Sequence, residues 1–218
     1  TFCSDKFHRN GHTADRDAIS SASKLATKEA YMLDTRVYSH THPGVRALAP
    51  IGLSFAAIEA AAWQVVQAHC DTDVLPVDLD AILTGTGGRT ETFTDPMLLA
   101  TSPEIEVFGP GDYLIRVPHY HARPRRRFLI AGGIGRYVLH SGFHTQATVP
   151  PVGSGDPEAR MHWEACAFAS ALLLPQAMLK AYVAHEDDSL PAVAHSFDVT
   201  ERLVANRLHA LQTIAPDT

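Results

Sequence analysis

Cysteine is scarce in this chain. Cys3, Cys70 and Cys166 form no CxxC pair and leave an odd thiol, so the sequence offers neither a disulfide framework nor a four-thiolate zinc site. Basic charge is not in excess either. With 18 Lys and Arg against 24 Asp and Glu, the formal charge is -6, which removes the uniform positive footprint of a nucleic-acid binder and leaves only local patches. Long apolar runs are missing as well: the opening TFCSDKFHRNGHTADRD has no apolar segment of a secretion signal, and the apolar stretch from Ser54 is interrupted by Glu59 and Gln64. No leader and no membrane partner are expected, and the expected compartment is the cytoplasm.

What is present is ordinary for a globular protein: 218 residues, 45% hydrophobic and 19% charged, enough to bury an ample core. Residues 1–50 read as an N-terminal extension, with a helix over Asp15 to Tyr38 and then the breaker-rich HTHPGVRALAP. A core over 51–180 and a C-terminal helical segment over 181–218 follow. From Ser54, a plausible N-cap, Phe55, Ile58, Ala62, Val65 and Val66 recur at helical spacing. VDLDAIL predicts a short second helix closed by Gly85, Gly87 and Gly88. RTETF, EIEVF and DYLIRV read as strands of a small antiparallel sheet.

FLIAGGIGRYVLH, residues 128–140, has helical spacing but carries Gly132, Gly133 and Gly135, each costing a helix interior about 1 kcal/mol relative to Ala. Propensity does not justify them. A loop, TVPPVGSGDPE, leads to the strong helix EARMHWEACAFASALLLP, which ends at Pro175, and two shorter helices follow on either side of Asp198.

The order of these pieces, with RRRFLIA before the glycine-bearing helix, LH at its end, EACAFASALLLP after it and FDVTERLVANRL near the C-terminus, resembles the ImmA/IrrE family of metallo-endopeptidases. Bacterial and phage members of that family cut repressors of the helix-turn-helix type. The resemblance covers residues 54–212 and implies an α+β, zincin-like core of a small antiparallel sheet with packed helices, plus a C-terminal helical hairpin. It also implies HExxH after RRFxxA, two His holding zinc and a Glu acting as base on metal-bound water. Here those positions read Gly132-Gly133-Ile134-Gly135-Arg136. Only His140, of the LH, and Glu164, matching the third zinc ligand, remain. No metal and no cofactor are expected, since one carboxylate is short of the three or so ligands a catalytic zinc needs.

The candidate ligand-binding residues are therefore the former zinc-site positions Gly132, Gly133, Arg136, His140 and Glu164; no catalytic residue is assigned. Spacing puts Gly132, Arg136 and His140 on one helical stripe, and the resemblance suggests that Arg136 pairs with Glu164 in place of the ion. The glycines fit either relaxation after loss of catalysis or an anion pocket built from free N–H groups beside Arg136. The first expectation is a catalytically inactive peptidase homologue that keeps a cleft for a protein or peptide partner of repressor type. The alternative is an enzyme of metal-independent chemistry on a small anionic substrate in the emptied pocket.

Other candidates have plainer readings. His119, His121, His144 and His162 could form a relocated metal site, but solvated or hydrogen-bonded histidines are the ordinary outcome. Arg123, Arg125, Arg126 and Arg127 read as a solvated rim, Trp163 as a pocket wall, Cys166 as an inert thiol, and the C-terminal helices as packing rather than DNA binding. A nucleic-acid partner is not expected.

Overall fold

The computed structural model describes residues 44–94, 104–144, 156–185 and 189–214, all within one compact unit, Thr35–Thr218. The helix expected over Asp15 to Tyr38 lies outside the described residues, as does most of the loop TVPPVGSGDPE.

Helix α1, Phe55–His69, starts where the sequence places it: Ser54 Oγ accepts a hydrogen bond from Ala57 N at 3.3 Å, and Ile58, Ala62 and Val66 face the core. Helix α2, Leu79–Thr86, is capped by Asp78, whose Oδ1 accepts from the N–H groups of Asp80 and Ala81 at 3.0 Å. It ends at Gly87, at φ 76°, where a Cβ would run into the Gly111 carbonyl, so only glycine fits this left-handed cap.

Three strands follow, β1 Gly88–Phe93, β2 Glu104–Gly109 and β3 Asp112–Pro118, in the spatial order β1-β3-β2. The sheet is mixed, not antiparallel as expected. β2 and β3 form an antiparallel hairpin, whereas β1 pairs parallel to β3 from Gly88↔Tyr113 to Phe93↔Pro118. β1 and β2 run in opposite directions with a gap one strand wide, and β3 returns to fill it. On β3 the alternation buries Tyr113, Ile115 and Val117 completely or nearly so.

Helix α3, Arg123–His140, begins earlier than the apolar spacing suggests, because Pro124 suits a first turn. It packs on both β3 and helix α4, Pro157–Leu173, which Asp156 caps through Glu158 N. Two of its glycines are explained by that double contact. A Cβ on Gly133 would come within 2.6–2.8 Å of three side-chain atoms of Ile115, and one on Gly135 within 2.9–3.1 Å of Phe168 on α4. Close approach of sheet and helix on the two sides offsets the propensity cost.

Pro175 ends α4 but also opens a helix that the sequence does not announce, α5, Gln176–His185, by accepting from Leu179 N at 2.9 Å. Helices α6, Leu190–Ser196, and α7, Glu201–Ile214, follow. Asp198, with φ 51°, makes the turn between them, a left-handed conformation that Asp tolerates. The division expected at 180/181 falls inside α5. Moreover, α7 is bolted to the core: buried Arg207 donates through Nε to the Leu174 carbonyl at 3.0 Å and grips both carboxylate oxygens of Glu59 on α1.

Pro157–Ala184 has the length and apolar composition of a membrane-crossing segment, although the sequence reading placed its most apolar stretch at α1. Half of its most apolar 18-residue window is buried inside the protein, as in a core helix.

Candidate functional site

The site lies where α3 and α4 meet the segment leading into α1. On α3, the stripe Gly132, Arg136, His140 is buried along its length. The three positions meet different surroundings. A Cβ on Gly132, the position that the resemblance matches to the first histidine of HExxH, would find nothing within 4 Å among the described residues. Gly133, which it matches to the glutamate, has no such room, because Ile115 fills the space beside it.

Arg136 does not pair with Glu164. Its Nη2 donates at 2.8 Å to Oε1 of Glu158, in the first turn of α4. Glu164 is held by three other donors. His140 Nε2 lies 2.9 Å from Oε2, while Arg160 Nε and Leu53 N lie 2.8 and 3.1 Å from Oε1. The side chains of both Glu164 and His140 are fully buried. Burial works to raise the Glu164 pKa, but the hydrogen bonds and charges of His140 and Arg160 outweigh it and hold the carboxyl at about 2. An ionised carboxylate only accepts, so the Nε2 of His140 must carry the proton. The other nitrogen, Nδ1, is buried with no hydrogen-bond partner among the described residues.

Arg160 also donates from Nη2 to the Leu53 carbonyl at 2.6 Å and stacks 4.7 Å over the ring of Trp163, which is 43% exposed. Arg160, Leu53 and Glu158 were not found by sequence reasoning. The i, i+4 spacing of Arg160 and Glu164 on one helix was the available signal.

These residues do not fit zinc. Of the positions that the resemblance matches to zinc ligands, Glu164 alone carries a donor, and its oxygens are committed to protein groups. Among the described residues no group of three His, Cys, Asp or Glu could hold a metal. The anion pocket expected at the glycines also lacks its N–H groups, since α3 starts at Arg123 and the amides at Gly132 and Gly133 lie inside its ladder.

The other candidates take structural places. Arg127 Nη2 donates to the Val77 carbonyl at 2.7 Å, Arg123 pairs with Asp198 at 2.7 Å, and Arg125 lies 5.6 Å from the Phe128 ring centre. His119 and His121 flank Tyr120 in ring contacts, and His144 meets the edge of Tyr137 at 5.0 Å. Cys166 Sγ lies 3.5 Å from His162 Nε2, but burial pushes the thiol up to about 11 against the pull of Arg136 and Arg125, which leaves it protonated at neutral pH. Val193 of α6, Val204 of α7, and Phe197 and Val199 of the turn between them enter the core.

Comparison with known families places a profile described as the IrrE N-terminal-like domain, a peptidase family, on residues 94–209. No curated protein matches the chain.

Proposed function

The chain belongs to the IrrE-like peptidase family, and on that premise we propose that it is a catalytically inactive member that retains the family's cleft for binding or regulation. The carrying observation is the state of Glu164: the one surviving ligand position has both oxygens taken by His140, Arg160 and the Leu53 amide. Ile115 beside Gly133 supports the same reading, because a glutamate base has no room there. So does Arg136, which carries a positive charge at a ligand position and is neutralised within the protein by Glu158. That pairing also weighs against the small-anion alternative, which needs the guanidinium available.

The partner class that fits a retained cleft is a protein or peptide of the repressor type, in a bacterial or phage cytoplasm. The test is metal analysis of protein purified without chelator, together with incubation of helix-turn-helix repressors with the zinc-supplemented protein. Substoichiometric zinc and intact repressors are expected. Cleavage that a chelator abolishes would overturn the reading.

A further inference from the structure

The segment before α1 crosses the site and is pinned there by its main chain. Arg46 N donates to the Val107 carbonyl on the edge strand β2 at 2.8 Å, and Ala49 N to the His140 carbonyl at the end of α3 at 3.3 Å. Leu53 is held from both sides of its peptide unit: its N–H by the Glu164 carboxylate at 3.1 Å and its carbonyl by the Arg160 guanidinium at 2.6 Å. Side chains add anchors at both ends. The Arg46 guanidinium lies 4.5 Å over the Phe143 ring, and Ile51 is buried in the core.

An edge-strand carbonyl takes up a passing main chain as in strand addition, while Gly52, at φ 69°, turns the segment so that the Leu53 peptide unit meets the carboxylate and the guanidinium. Here these groups are used by the chain's own residues. We infer that residues 46–53 form an autoinhibitory strap, an internal occupant that a peptide partner has to displace before it can reach the Glu164 end of the cleft. The inference rests on the proposed function for regarding this surface as a binding cleft. Its physical content is separate: a short segment held by a few hydrogen bonds and by the side chains of Arg46, Leu48, Ile51 and Leu53 can open locally without global unfolding.

Hydrogen exchange on the full chain tests it, comparing the wild type with Arg160→Leu and with Arg160→Lys, which keeps the charge but loses the planar fork that spans Glu164 and Leu53. In the wild type the Ala49 and Leu53 amides should be protected. In either folded variant the Leu53 amide should exchange faster by on the order of tenfold, the equivalent of one hydrogen bond, while α1 and α4 amides keep their protection. Leu53 exchanging at the free-chain rate in the wild type would overturn the strap, as would unchanged Leu53 exchange in both variants. Chelator-sensitive cleavage alongside a protected strap would instead sink the function reading and leave the strap standing.

Discussion

Gly133 and Ile115 are in such close contact that a Cβ on the glycine would stand 2.6 Å from the isoleucine Cδ1. Helix α3 is seated directly on the sheet. Gly133→Ala should destabilise the protein by about 1–3 kcal/mol through overpacking. One residue earlier the sign reverses, since a Cβ on Gly132 meets nothing within 4 Å among the described residues and Gly132→Ala should stabilise by about 1 kcal/mol. Urea midpoints of the two variants check the pair, and equal shifts would contradict the packing described.

Introducing metal ligands should follow the same geometry. Gly132→His with Arg136→His supplies two imidazoles, but Glu164 remains engaged by Arg160 and Leu53. Titration calorimetry should show zinc binding that tightens by about tenfold when Arg160→Leu is added, because one competing donor is gone. Adding Gly133→Glu should lower stability, because the new side chain has to displace Ile115.

Acid should loosen the site in a defined window. The folded-state pKa of Glu164 lies at about 2, below its ordinary value of 4.5. A depressed carboxyl pKa contributes stability that is complete above the unfolded value and is lost as pH falls through the folded one. Stability measured by denaturant should therefore decline between about pH 4.5 and pH 2 more steeply in the wild type than in Glu164→Gln, which lacks the titrating group. Identical slopes would show that the carboxylate does not carry the effect.

The pair between Arg207 and Glu59 supplies a fourth expectation. Arg207 is 1% exposed, and Arg207→Ala would leave Glu59 and the Leu174 carbonyl without their donor. A loss of about 3–5 kcal/mol is expected, as for a buried pair broken on one side. Arg207→Lys should recover only part of it, for an ammonium cannot span both carboxylate oxygens and a carbonyl. Thermal melts of the two variants against the wild type decide it.

Much of this was legible in the order of residues, for local reasons. Ser54 and Asp78 announce helix starts through side-chain oxygens placed to accept the first free amides. Alternation marked β3. Strand direction was not legible, because an alternating strand looks the same whether its partner runs parallel or antiparallel, and the β1–β3 pairing is set by β3 filling a gap. The partner of Arg136 was missed for a related reason. Helix α4 offers both Glu158 and Glu164, and the choice turns on Arg160, one helical turn before Glu164, which claims that carboxylate and leaves Glu158 to Arg136. Helix α5 escaped notice because a proline read as a stop also serves as a start.

The clamp from α7 to α1 joins positions 148 residues apart, and it sets a timetable for folding. During synthesis Glu59 emerges long before the guanidinium that completes it, and the Leu174 carbonyl must wait as well. Helix α1 can form on its own turn-by-turn bonds, but its final seating waits until Arg207, 148 residues after Glu59, has been made. A chain cut short before Arg207 would carry every residue of the candidate site and still lack the fastening of helix α1.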